Sequence, residues 1–110
     1  MAFQLIERNR VAVQVKGQLP DEAGKPQPFS FTLHCKRLGA QELREVLKDD
    51  AKTTVDFMAD VVQGWSGVTG DEGAMLPFTE AALNALLDVP GVAGLAFAAY
   101  MEQQAARAKN

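Results

Sequence analysis

The sequence Phe-Ser-Phe-Thr-Leu-His-Cys-Lys at residues 29–36 decides the fold, because its apolar residues alternate with polar ones. A period of two is typical of a strand that buries one face. Residues 11–16, Val-Ala-Val-Gln-Val-Lys, have the same period, and Leu19–Pro26 between them is rich in turn residues. The pattern predicts an antiparallel hairpin with a longish loop. Two strands alone are marginal in water, so we expect another element to cover their apolar face.

From Ala40 onward the apolar residues recur at steps of three and four, as on one face of a helix. They form two stripes: Leu43, Val46 and Leu47, then Val55, Met58, Val61 and Val62. We predict a short first helix and a second helix from about Thr54. Thr53 and Asp56 resemble a capping box at its start. A single continuous helix is the alternative, because Ala51 does not break the stripe.

Two further helices are predicted near the C-terminus. Thr79 is a suitable N-cap for the first, and Glu80 favours the positive end of its dipole. Pro90 ends that helix and can occupy the first position of the next, which runs from about Pro90 to Arg107. Within it every residue of Val92–Met101 is apolar or glycine. Such a helix is normally buried, and a terminal helix in a small chain needs a second copy or another protein to cover it fully.

These elements predict an α+β fold in one domain, residues 1–110. Residues 1–38 are the strand-rich part and residues 39–110 the helical part, with three or four helices packed on a hairpin or small sheet. The length of 110 residues and the 47% hydrophobic content suit a single domain with a modest core.

Charge is unevenly distributed along the chain, whose net charge is −3. Residues 53–106 contain no lysine or arginine but seven acidic residues, which are Asp56, Asp60, Asp71, Glu72, Glu80, Asp88 and Glu102. An acidic chain argues against nucleic acid as a partner. The acidic part is either an ordinary solvated surface or a face offered to a basic partner.

The chain has the features of a cytosolic protein. Cys35 is the only cysteine, so no internal disulfide forms, and this fits a reducing compartment. The N-terminus has no apolar run typical of a signal peptide. Val92–Met101 is about half the length that crosses a bilayer, so we expect no membrane partner.

Gly64–Thr79, which contains the only tryptophan and four of the nine glycines, is predicted to be a long loop between two helices. Loops of this length inside small domains are often functional. Trp65 on such a loop either plugs the core or contacts a partner.

No convincing catalytic, cofactor or metal site is predicted. His34 and Cys35 are neighbours on a strand, so their side chains point to opposite faces and cannot exchange a proton directly. Ser66 is the other conceivable nucleophile. Asp71-Glu72-Gly73 lacks the ligand spacing of a calcium loop and is interpreted as a turn. A small enzyme using Cys35 or Ser66 is therefore a minor alternative.

The residues from Phe57 to Val68 resemble the tail assembly chaperones of long-tailed bacteriophages and prophages. Three elements carry the resemblance: Gly64-Trp65-Ser66-Gly67-Val68, Pro77-Phe78 and Pro90-Gly91-Val92. The similarity is strongest over residues 55–101. It implies a non-enzymatic protein of the host bacterial cytoplasm that binds the tape-measure protein, helps recruit tail-tube protein, and is absent from the mature virion. A structural tail component retained in the virion is the alternative.

A chaperone for a long helical client needs exposed apolar surface that accepts helices. The last helix is the candidate for that surface. The residues predicted to contact the partner are Val92, Leu95, Phe97, Tyr100, Met101 and Trp65. The alternative is that these residues fill the core or an interface between copies in a homo-oligomer.

Overall fold

A computed structural model of the chain, which describes residues 10–70 and 73–104, contains a three-stranded antiparallel sheet and four helices. The elements in chain order are β1 (Arg10–Pro20), β2 (Pro26–Lys36), α1 (Ala40–Leu47), α2 (Thr54–Val61), β3 (Val62–Ser66), α3 (Glu80–Leu87) and α4 (Val92–Gln104). The sheet order is β1-β2-β3. The predicted α+β fold is confirmed.

The predicted hairpin is present and is longer than the alternating segments. Pairing runs from Arg10 opposite Lys36 to Pro20 opposite Pro26. The core face carries the buried side chains Val13, Val15, Phe31, Leu33 and Cys35. In the connecting turn, the backbone N–H of Lys25 donates to the Asp21 carboxylate, which lowers the pKa of that group.

Three prolines fit into this hairpin because of the direction in which their nitrogens point. Gln14 turns its N–H and C=O away from β2, since both bond the side-chain amide of Gln103 on α4 at 3.2 Å. This direction alternates along a strand. By the register of the pairing, the backbone nitrogens at Pro20, Pro26 and Pro28 also point away from the partner strand. These prolines therefore remove no hydrogen bond between the two strands.

A third strand lies where the sequence predicted the end of a helix and the start of a loop, so that prediction was wrong. β3 pairs with β2, with Trp65 opposite Leu33. Gln63 is an extra residue in β3, because Gly64 lies opposite His34 and Val62 lies opposite Cys35, and this bulge interrupts the alternation that would identify β3 as a strand from sequence. The sheet therefore takes one strand from the part of the chain predicted to be helical.

α1 and α2 are separate helices, as predicted, and the continuous-helix alternative is wrong. The capping box of α2 is confirmed. Asp56 N–H donates to Thr53 Oγ1 at 3.1 Å, and Thr53 N–H donates to Asp56 Oδ2 at 3.2 Å. That backbone bond from Thr53 lowers the pKa of Asp56. The apolar stripe of α1 is not fully buried. None of the residues of this helix is buried, and Leu47 is 50% exposed.

The last two helices meet at a sharp corner of 100°. Thr79 caps α3 as predicted, with Ala82 N–H donating to its Oγ1 at 3.0 Å. The prediction that Pro90 begins the last helix was wrong, because Pro90 and Gly91 form the turn and α4 begins at Val92. Gly91 has φ +87°, a left-handed conformation that suits glycine and reverses the chain tightly. The predicted end at Arg107 lies outside the described residues.

α4 packs along β1 and against α2, and it is buried on one face only. Its buried residues are Val92, Ala93, Ala96 and Tyr100. Gly94, Leu95 and Ala98 are exposed. Among the residues that the structure describes, the expectation that an apolar helix is covered all round is therefore met on one side only.

Tyr100 links three elements in the centre of the core. Its side chain is fully buried, and its hydroxyl donates to the Lys36 carbonyl at the end of β2 at 2.9 Å. Its ring meets Phe57 of α2 edge-on, with centroids 5.6 Å apart. Burial also raises the pKa of the hydroxyl, so it remains a donor across the neutral range.

Replacing Tyr100 by phenylalanine tests this link. Tyr100→Phe keeps the ring but leaves the Lys36 carbonyl without its partner, so we expect a loss of about 1 kcal/mol in unfolding free energy. Urea denaturation followed by the fluorescence of Trp65, the only tryptophan, measures it. Ser66→Ala, which removes an exposed hydroxyl, should change stability by less than about 0.5 kcal/mol. Equal midpoints for the two variants would contradict the role given to Tyr100.

Candidate functional site

An apolar groove of about 200 Å³ opens between the hairpin and the α3–α4 corner. Three chain segments form it: the distal half of the hairpin, the residues directly after β3, and the end of α3 with the start of α4. The residues lining it are Leu19, Phe29, Ser30, Phe31, Gly67, Val68, Thr69, Leu86, Val89 and Val92. We call this feature the apolar groove.

The groove exists because β3 is much shorter than β2. β3 pairs with β2 only as far as Thr32 opposite Ser66, and the chain then bends away at Gly67, which has φ +83°. A β-carbon built there would lie 3.4 Å from Phe31 Cα, so the bend runs close against β2. The distal hairpin is left without a third strand beside it. Phe29, which is half-buried and stacks on the buried Phe31 with ring centroids 5.9 Å apart, therefore stays partly accessible from this side.

Leu95 extends the apolar surface from the hairpin onto α4. A β-carbon built on Gly17 would lie 2.7 Å from Phe29 Cζ and 2.8 Å from Leu95 Cδ1. Both side chains therefore rest over the space that Gly17 leaves open. Leu95 is 41% exposed and Leu19 is 36% exposed, so the groove has apolar residues at its rim as well as on its walls.

Trp65 supports the wall of the groove and is not in it. Its indole Nε1 donates to the Leu76 carbonyl at 2.9 Å, and its ring meets Phe78 edge-on at 5.1 Å. The side chain is half-buried against the core. Trp65 thus holds the glycine-rich connection against the sheet, as expected of a plug, and its contact with a partner stays a prediction.

The glycine-rich connection is folded back on itself. Gly70 N–H donates to the Ala74 carbonyl, and Leu76 N–H donates to the Val68 carbonyl, each at 2.9 Å. Thr69 and Met75 form an isolated bridge between the two arms. Of the predicted Asp71-Glu72-Gly73 turn, the first two residues lie outside the described residues.

The six predicted contact residues occupy different environments. Val92 and Tyr100 are 2% and 0% exposed, so both belong to the core, although Val92 also reaches the groove wall. Phe97 is half-buried and packs edge-on against Phe57. Met101 is half-buried too. Among the residues of α4, Leu95 offers the most apolar surface beside the groove.

Most groove residues were missed by the sequence reasoning. The apolar residues of the distal hairpin look like ordinary strand residues, and Leu86 and Val89 look like the inner face of a short helix. One signal was available for Leu19: it lies beside Pro20 in the predicted turn region, where an apolar residue has nothing to pack on.

An acidic residue adjoins the groove lining at the end of α3. Asp88 is exposed at the carboxyl end of α3, between the groove residues Leu86 and Val89. Residues 53–106 contribute no lysine or arginine. On the other side of the molecule, Lys52 pairs with Asp60, which raises the pKa of the lysine.

The candidate nucleophiles are not arranged as a catalytic pair. Cys35 is fully buried on the core face of β2, while His34 lies half-buried on the opposite face. Ser66 shares the outer face with His34, but no hydrogen bond joins the two side chains, both of which the structure describes. Within residues 10–70 and 73–104, no three His, Cys, Asp or Glu side chains come together as metal ligands.

Burial should give Cys35 a measurable effect on the pH dependence of stability. Burial raises the pKa of its thiol from the ordinary 9.0 to about 12. The folded chain therefore holds this proton more tightly than the unfolded chain. The resulting stabilisation is complete below pH 9 and is lost as the pH rises towards 12, by at most about 1.4 kcal/mol per pH unit.

Urea unfolding at pH 8–11, compared with Cys35→Ala, measures this effect. The variant is expected to be less stable at pH 8 because of the cavity, and its stability should fall less steeply at alkaline pH. Parallel pH profiles for the two proteins would contradict the burial of the thiol.

Removing the Trp65 side chain should destabilise the protein, because the indole packs against Phe78 and donates a hydrogen bond to the Leu76 carbonyl. We expect Trp65→Ala to cost about 3 kcal/mol, and Trp65→Phe, which removes mainly the bond to Leu76, about 1 kcal/mol. Thermal unfolding followed by circular dichroism measures both. An unchanged midpoint for Trp65→Ala would rule out the supporting role.

No single helix among the described residues is long and apolar enough to span a membrane, and the pair that has the length and composition together, α3 and α4, is bent by 100°. No protein-family model matches the sequence, and no curated protein or solved structure matches it either. Function is therefore inferred from the residues and geometry of this chain.

Proposed function

We propose that this protein is a tail assembly chaperone of a long-tailed bacteriophage or prophage. In this role it binds the tape-measure protein in the host bacterial cytoplasm, keeps it soluble, and helps recruit tail-tube subunits around it. The role is non-enzymatic, and the chaperone leaves before the virion is complete. The observation that carries the proposal is the apolar groove between the hairpin and the α3–α4 corner.

The size and lining of the groove favour side chains of a protein over a small ligand. Pockets for small molecules usually enclose about 300–1,000 Å³. The groove encloses about 200 Å³, and its walls are aliphatic and aromatic. One or two large apolar side chains from the face of a helix are an occupant of suitable size and chemistry.

Three of the residues that carry the family resemblance line this groove. Gly67 and Val68 belong to the first resembling element and form one wall. Val92, which ends the element Pro90-Gly91-Val92, lies on another wall. Phe78, of the element Pro77-Phe78, packs against the supporting Trp65. The resemblance and the groove therefore concern the same region of the molecule, which supports the proposal.

The structure changes which residues we propose for contact with the tape-measure protein. Leu95 is retained because it is exposed at the rim, and Leu19 and Phe29 join it from the hairpin. Tyr100 is assigned to the core. Phe97 and Met101 lie half-buried further along α4, where a long client helix or a second copy of the chain can reach them.

A charge placed at the rim of the groove tests the proposal directly. Leu19→Glu puts a carboxylate where an apolar side chain of the client would be buried, so we expect at least a tenfold loss of affinity for tape-measure fragments. Leu47→Glu is the matched control, because Leu47 is an exposed leucine on α1 that does not line the groove. It should bind as the wild type does.

Co-expression with the tape-measure protein, followed by measurement of soluble client and of copurification, is the appropriate assay. Wild-type protein should keep the client soluble, and Leu19→Glu should not. If both leucine variants bind equally well, the groove is not the binding site.

The alternative, a structural tail component, is distinguished by its location after assembly. Mass spectrometry of purified virions should detect a retained component and should not detect a chaperone. The neighbouring genes provide a second test, since a very long helical reading frame should lie just downstream. Without one, the chaperone proposal fails.

A further inference from the structure

We infer that the apolar groove selects an amphipathic helix that carries a lysine or arginine beside its apolar stripe. This inference rests on the proposed function and specifies the chemistry of the partner. It comes from Asp88, an acidic residue that adjoins the groove lining at the carboxyl end of α3.

The negative end of α3 forms part of the groove. Leu86 and Val89 line the wall, and the α3 C-cap residue Asp88 lies between them in the chain. The carboxyl end of a helix carries a partial negative charge, which is stabilised by a nearby cation and opposed by a nearby anion. Here the anion Asp88 is added to that end, and the last turn of α3 contains no basic residue.

No cation of the described chain neutralises this position. Residues 53–106 contain no lysine or arginine, and no ion pair to Asp88 occurs among residues 10–70 and 73–104. Lys16 of the hairpin alternates with the buried Val15 and does not line the groove, but it lines a neighbouring depression that shares Phe29 and Ser30 with the groove. The hairpin turn holds Lys25 together with Asp21 and Glu22, so the turn is not basic overall.

A negative charge at a helix carboxyl end is unfavourable for the isolated chain, and a cation supplied by a partner would relieve it. The adjacent walls require apolar groups. A helix meets both requirements when an apolar residue and a lysine or arginine are three or four positions apart, because such residues lie side by side on its surface.

Two synthetic helical peptides with the same leucine stripe, one flanked by lysine and the other by glutamate, test the inference. Fluorescence anisotropy with the full chain should show about threefold tighter binding of the lysine peptide at 50 mM salt, because Asp88 is an exposed charge. The preference should shrink at 500 mM salt, because screening shortens the range of exposed charges.

Asp88→Asn should lose most of the preference for lysine and still bind the leucine stripe. Asp50→Asn, at an exposed aspartate of the α1–α2 connection, is the matched control and should keep the preference. The thermal midpoint of Asp88→Asn should equal or exceed that of the wild type, which separates a binding effect from a folding defect. Equal binding of the two peptides, or a preference retained by Asp88→Asn, overturns the inference.

Tape-measure fragments distinguish failure of the inference from failure of the proposed function. If wild-type protein binds the fragments and neither salt nor Asp88→Asn changes the affinity, the charge selection is wrong and the chaperone proposal stands. If the wild type binds no fragment, the proposed function fails, and the inference fails with it.

Discussion

The burial of Tyr100 is the constraint on which the rest of the structure depends. Its ring lies between the sheet and α2, and its hydroxyl reaches the Lys36 carbonyl at the end of β2. A buried carbonyl needs a hydrogen-bond donor, and a buried hydroxyl needs an acceptor. The hydrogen bond that satisfies the carbonyl and the hydroxyl positions α4 alongside β1. There the Gln103 side chain forms hydrogen bonds with the outward-facing backbone of Gln14. The edge of the sheet is thereby partly covered, as exposed strand edges usually are.

The apolar groove is a consequence of this arrangement. α4 can cover one edge of the sheet, and the short β3 covers only part of the other. The long hairpin extends beyond both, so Phe29 and Leu19 keep apolar surface that residues 10–70 and 73–104 do not bury. A small domain has few elements with which to cover a long hairpin. The uncovered part is where another protein can contribute the missing apolar contacts.

The parts of the fold that depend on local pattern were predictable. Alternation identified β2, and the capping residues Thr53 and Thr79 identified two helix starts, because both signals act between residues close in the chain. β3 was not predictable from pattern. Gln63 interrupts its alternation at a bulge, and Val62 continues the spacing of the preceding helix. Its identity as a strand depends on the unpaired edge of β2, which is distant in sequence.

Local hydrogen bonds and apolar periodicity specify most of the helices and strands, and both can be recognised in the sequence, as can the lack of lysine and arginine in residues 53–106. Which apolar residues are buried in the core depends on packing between distant segments. Tyr100 and Leu95 lie in the same apolar run, yet one is buried and the other exposed, because α4 turns a single face to the sheet. The groove likewise depends on where β3 stops and on the angle between α3 and α4, which are properties of packing between distant segments.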